Sequence, residues 1–122
     1  MERQRRQVTV TVRRSYAPAS ASRSVPSGHL GCAGLESLWR DAGGVNSAAF
    51  VAAEVAMAES GGNQFATGPA GERGYWQIHP DHGALSTYDP YGNARAAILI
   101  SQDGRSWSAW TTWTSGLFCG RC

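Results

Sequence analysis

Residues 56–68 read AMAESGGNQFATG, and the acid at their centre, Glu59, stands where an apolar run meets two glycines. A carboxylate is stabilised at a helix N-terminus; at a C-terminus it faces partial negative charge. Apolar burial also disfavours the ionised form. Both effects push a pKa up. A carboxylic acid still protonated near neutrality is what general acid catalysis requires. Taken alone, the stretch reads better as an exposed glutamate that ends a helix, so the rest of the chain has to decide.

A second group with chemical content brackets the chain. His29 and Cys32 form H-x-x-C, and Cys119 and Cys122 form C-x-x-C. Together they make a Cys₃His set with the spacings of a structural zinc site, which would tie the segment before Cys32 to the C-terminus. Three cysteines also allow one disulfide, in any of three pairings, with one thiol left over. Both readings stand open at this point.

The elements that must position these groups can be read from patterning. The 122 residues suggest one domain, and 42% hydrophobic content is enough for a packed core. No apolar run approaches the ~20 residues of a membrane span, and the basic N-terminus lacks the apolar region of a signal peptide. Within residues 1–23, six arginines oppose one glutamate, whereas five arginines and eight acids follow. Such a tail can bind anionic polymers. No motif of a nucleic-acid-binding fold accompanies it, so a solvated tail is expected and nucleic acid is not expected as a partner.

Residues 1–14 form an arm whose QVTVTVR (7–13) alternates as a strand does. A lone strand needs a neighbour, in another part of the molecule or in another chain. Residues 15–29, rich in Ser, Ala and Pro, read as a linker, and 30–122 as the compact domain. Four helices are expected there. The first covers about 34–41, with Leu35, Leu38 and Trp39 on one face and Gly43 and Gly44 after it. The second follows an N-cap at Asn46 or Ser47 and runs to about Glu59, burying Phe50, Val51 and Met57. The third begins at Asp89-Pro90, ends before Gly104 and is anchored by Ile98, Leu99 and Ile100. A short fourth carries Trp107, Trp110 and Trp113 and closes at Gly116. The long connection 60–88 is of the kind that carries function, and GYWQI (74–78) within it reads as a short extended piece.

Five stretches in order, LESLWRDAGG (35–44), AEVAMAESGG (53–62), ERGYWQI (72–78), HGALSTYDPYGNARAA (82–97) and WSAWTTW (107–113), resemble the lysozyme-like fold of soluble lytic transglycosylases and goose-type lysozymes. The likeness is greatest to the small actinobacterial and phage-tail members, with patterns close to AxAMAESGG, DRGLWQI and HGALSTYDPxxNARAA. It covers about residues 35–118. The resemblance implies a mainly α, lysozyme-like α+β domain with a sugar-binding cleft. It implies that Glu59 is the catalytic acid acting on the glycan strands of peptidoglycan, with no cofactor for catalysis. The action would be extracellular or on a virion, within a phage tail or another exported assembly. Other assembly proteins could then dock on the N-terminal strand.

A transglycosylase needs one carboxyl, which donates and then recovers a proton. A hydrolase usually needs two, ~5–5.5 Å apart for retention and ~6.5–9.5 Å for inversion. Glu72 and Asp81 are the acids available in the irregular segment. Glu72 is expected to pair with Arg73 or hold the loop; Asp81, in HPDHG, departs from the family's NSVHG. Glu54 lies about 140° round the helix from Glu59 and is off its face. The remaining substrate contacts implied are Gln77, Asn93, an exposed Tyr75 and at most Trp110 among the tryptophans. Trp76 is expected in the core. Ser60 is expected to orient Glu59 or cap the helix end. A module that keeps the fold without activity is the contrasting expectation.

Overall fold

A computed structural model describes residues 25–122. The expected strand 7–13, the rest of the arm 1–14 and most of the linker lie outside the described residues. The linker's last residues belong to the domain. Gly28 N–H donates to the Gln64 side chain at 2.8 Å, and Leu30 N–H donates to the Gly62 carbonyl at 2.8 Å.

Among the described residues four α-helices carry the domain: α1 (Cys32–Asp41), α2 (Ala49–Ser60), α3 (Pro90–Ile100) and the short α4 (Thr111–Thr114). Strand pairing among the described residues is limited to isolated bridges, His29–Asn63, Thr67–Arg73 and Arg73–Ile78. The domain is therefore mainly α, as expected, with a β component reduced to these contacts.

Local chemistry explains where the helices begin and end. Asp89 caps α3, its carboxylate accepting from Gly92 N–H at 2.7 Å, and Pro90 occupies the first helical position. At the end of α2, Gly61 adopts the left-handed conformation (φ 64°, ψ 17°) and its N–H returns to the Met57 carbonyl at 2.9 Å. The start of α2 corrects the sequence reading. Neither Asn46 nor Ser47 caps it; a 3-10 turn, Asn46–Ala48, feeds directly into the helix.

The core forms where α1 lays Leu35, Leu38 and Trp39 against Ala49, Ala52, Ala53, Val55 and Ala56 of α2. Alanine lets two helices approach closely, and large rings fill the remaining space. Trp39 packs against Trp107 (5.6 Å between ring centres) and Trp76 (6.2 Å), and Trp107 packs against Trp110 (5.0 Å). Each large side chain buried here, such as Leu35, Leu38 or Val55, contributes roughly 1.5–3 kcal/mol, and each alanine less. Two expected anchors sit outside this face: Phe50 is 51% exposed and Leu99 58% exposed. The tryptophan series is core, but only Trp113 is helical, because Trp107 and Trp110 precede α4.

GYWQI is not extended. Residues 74–77 form a turn between Arg73 and Ile78, closed by Ile78 N–H to the Arg73 carbonyl (3.0 Å) and its reciprocal (3.2 Å). Gln77 closes the turn at φ 51°, uncommon for a residue with a side chain. Tyr75 and Trp76 point inward and are fully buried.

Candidate active site

Glu59 sits in the last turn of α2, half-buried at the wall of a cleft of about 170 Å³ that Glu72, Gln77, His82, Trp110 and Thr111 also line. The Thr112 hydroxyl donates to Glu59 Oε2 at 2.7 Å. Burial pushes the Glu59 pKa above the ordinary carboxylate value. The Thr112 hydrogen bond opposes that shift, and the negative charge of Glu72 adds to it. The protonated form is thus favoured by desolvation and by a neighbouring charge, in a place open to ligand.

The position of this carboxyl depends on the helix end. Ser60 donates its hydroxyl to the Ala56 carbonyl (2.9 Å) and accepts from Gly62 N–H (3.1 Å). Of its two expected roles it takes the second, capping the helix. Gly62 (φ 82°) turns the chain against Leu30, whose carbonyl oxygen occupies the space a Cβ would need.

The other acids separate clearly. Glu72 lines the cleft, and its Oε1 accepts from Ala70 N–H at 3.0 Å, so it holds the loop as expected. Its expected partner Arg73 turns instead to the Ser86 carbonyl (3.1 Å) and lies over the Tyr88 ring. Asp81 stands at the surface with its side chain 89% exposed, beside His79. Glu54 faces the C-terminal segment, where Gly120 N–H donates to it at 2.9 Å.

Among the implied substrate contacts, Gln77 and Trp110 reach the cleft. Gln77 also braces its own loop, its amide nitrogen donating to the Ala66 (2.9 Å) and Gly74 (3.0 Å) carbonyls. Trp110 is 5% exposed and its indole N–H donates to the Trp76 carbonyl at 2.8 Å, so only an edge faces the cleft. Tyr75 and Asn93 are corrected. Tyr75 is no exposed sugar platform: it is buried, its hydroxyl donates to the Gly28 carbonyl at 2.7 Å, and burial pushes that hydroxyl's pKa up to about 12. Asn93 is fully buried and joins three segments. It accepts from Trp76 N–H (2.9 Å) and donates to the Arg73 (2.8 Å) and Thr87 (3.0 Å) carbonyls. A buried amide with this many partners is a structural post.

The zinc set does not assemble. Cys32 and Cys122 are joined in a disulfide spanning 90 residues, which removes two of the four donors as thiolates, and Cys119 is an exposed free thiol. Among the described residues no group of three or more His, Cys, Asp or Glu side chains could hold a metal ion.

Sequence reasoning missed Thr112 and His82. Both lie in quoted stretches, WSAWTTW and HGALSTYDPYGNARAA, but their places at the site come from segments far apart in sequence; Thr112 is 53 residues from Glu59.

Comparison with known families bears on this geometry. A family model described as a lysozyme-like domain matches residues 36–112, more than half of the chain. The matched span takes in Glu59, Glu72, Gln77, Trp110 and Thr112. Searches of curated proteins and of solved structures returned no match. On the strength of that span, the chain belongs to the lysozyme-like domain family.

Proposed function

We propose that this domain cleaves the β-1,4 bond between N-acetylmuramic acid and N-acetylglucosamine in peptidoglycan, as a lytic transglycosylase with Glu59 as its acid and base. The family supports action on peptidoglycan in general. One observation carries the finer reading: Glu59 stands at a cleft wall with one oxygen fixed by Thr112 and its protonated form favoured. Oε1 gives its proton to the glycosidic oxygen as the C1–O bond breaks. The muramic acid's own 6-hydroxyl then attacks C1 and returns its proton to Glu59. No water is consumed, and the product carries a 1,6-anhydro ring.

A hydrolytic lysozyme is the second reading, and Glu72 favours it. That carboxylate lines the same cleft and its charge raises the Glu59 pKa, which supports a role for it in activating a water. Gln77 and the edge of Trp110 would contact the sugar in either case.

Peptidoglycan lies outside the cytoplasmic membrane, and no helix of the described residues is long and apolar enough to cross one. Delivery on a phage tail or another exported assembly is part of the proposal, with the arm 1–14 as the connection to other assembly proteins. Mass spectrometry of muropeptides released from purified sacculi tests the reaction type. Products lighter by one water support transglycosylation. Products retaining that water establish hydrolysis, and no release at all points to a silent wall-binding module.

A further inference from the structure

The C-terminal segment 111–122 is bonded to both acids of α2. At its start the Thr112 hydroxyl donates to Glu59 at 2.7 Å. At its end Gly120 N–H (2.9 Å) and Cys122 N–H (3.4 Å) donate to Oε2 of Glu54. Glu54 is only 6% exposed, on an alanine-rich helix, and lies outside the cleft. A carboxylate buried there needs hydrogen-bond partners, and the tail's amides supply them.

Between its two attachments the segment is bonded to itself. Phe118 N–H donates to the Thr112 carbonyl (3.0 Å), Cys119 N–H to Gly116 (3.1 Å) and Arg121 N–H to Phe118 (3.3 Å). The Trp113 and Phe118 rings stack at 4.4 Å. A displacement at the far end is therefore transmitted to Thr112. The far end is itself fixed covalently, through Cys122 to Cys32 at the first position of α1. Cys32, Gly120 and Cys122 all lie outside the matched span 36–112.

We propose that Glu54 and the Cys32–Cys122 disulfide form a latch that holds segment 111–122 on α2 and so positions Glu59 through Thr112. The proposal rests on the reading of Glu59 as the proton donor. Glu54 is a positioning residue: it touches the tail's amides and acts on Glu59 only through the segment. The latch has a physical purpose, because α4 has only four residues. A helix that short is not stable on its own and depends on what holds it.

The same bond makes the site sensitive to thiols. A dithiol reductant delivers two electrons and two protons, Cys32 and Cys122 become thiols, and the reductant closes to its own disulfide. The segment then loses its covalent tie and is held only by the packing of Trp113 and Phe118 against the core and by hydrogen bonds. The charged or titratable groups sharing the cleft with Glu59 are Glu72, His79 and His82, and none belongs to 111–122. A segment released at its far end leaves them in place and draws the Thr112 donor away from Glu59. That donor favours the ionised carboxylate, so without it Glu59 keeps its proton to higher pH. The basic limb of the rate profile, which requires the protonated acid, moves upward. Meanwhile kcat falls because the carboxyl is no longer held.

The test is a set of pH–rate profiles on purified sacculi for the parent, Cys32→Ser/Cys122→Ser, Thr112→Val, Thr112→Ser, and the cysteine pair combined with Thr112→Val. The cysteine variant and Thr112→Val should each lower kcat about tenfold with KM unchanged and move the basic limb upward. Thr112→Ser should restore the parental profile. The combination should be no worse than Thr112→Val alone, since the latch acts through that hydroxyl. Circular dichroism establishes folding, and Glu54→Gln takes the place of the cysteine variant if that variant unfolds. A folded latch variant with the parental profile, or effects that add in the combination, overturns the proposal. Glu59→Gln is run beside them. If it stays active, the reading of Glu59 fails; if it is dead while the latch profile is unmoved, only the latch fails.

Discussion

Alanine at Gly61 and at Gly62 should have very different consequences, although the two are adjacent and both left-handed. Gly61 has φ 64° and open space where a Cβ would go, so Gly61→Ala carries only the left-handed penalty of about 1–2 kcal/mol. Gly62 has φ 82°, and its Cβ would overlap the Leu30 carbonyl oxygen, a backbone atom that no rotamer can move aside. Relief requires Leu30 to shift, which breaks its 2.8 Å N–H bond to the Gly62 carbonyl at a further cost of about 0.5–1.5 kcal/mol. With backbone strain added, Gly62→Ala should lose about 3–5 kcal/mol, a large share of the ~5–15 kcal/mol that holds a domain together. Urea unfolding measures both variants. The corresponding fall in Tm is more than about 12 °C for Gly62→Ala and well below that for Gly61→Ala. Equal losses at the two positions, or a Gly62→Ala change under about 1 kcal/mol, would refute the steric argument.

Other outcomes follow from single contacts. Asn93→Ala should cost about 2–4 kcal/mol in urea unfolding by orphaning the buried Trp76 N–H and taking a donor from the Arg73 and Thr87 carbonyls, while KM on peptidoglycan stays parental. A raised KM in folded Asn93→Ala would return it to the substrate site. Alkylation of the folded, unreduced protein should modify Cys119 alone, and peptide mapping should recover Cys32 linked to Cys122. Because the folded state favours protonated Glu59, the folded protein binds more protons than the unfolded chain once pH exceeds the ordinary carboxylate range. This contribution to stability is intact at low pH and lost as pH rises through the folded pKa. Glu59→Gln removes it, so urea midpoints between about pH 4 and pH 8 should show the variant gaining on the parent as pH rises. A constant difference would mean that Glu59 titrates normally.

What was legible in the sequence is what short-range chemistry decides. Asp89-Pro90 starts α3 because a capping carboxylate and a proline act within one turn. Gly61 ends α2 because only local φ is at stake. Leu35, Leu38 and Trp39 share a buried face by helical period. What was misread depends on partners far along the chain. GYWQI reads as extended from its β-prone residues, yet the turn forms because Asn93 on α3 accepts from Trp76 N–H and Gln77 bonds the Ala66 and Gly74 carbonyls. Tyr75 reads as a sugar platform until Gly28 is found against its hydroxyl. The cysteine spacings fit zinc, but spacing cannot reveal that residues 32 and 122 meet across 90 residues. Thr112 belongs to the same class: nothing local marks a threonine that will touch an acid 53 residues away.

Everything proposed for this domain depends on Glu59 carrying the chemistry. Its most direct test is the release of soluble muropeptides from purified sacculi by the parent and by Glu59→Gln, with folding of both confirmed by circular dichroism. The parent should release them, and the variant should do so at a rate roughly 10²–10⁴-fold lower, the range that loss of a general acid produces. Equal release by the two proteins would contradict that role for Glu59.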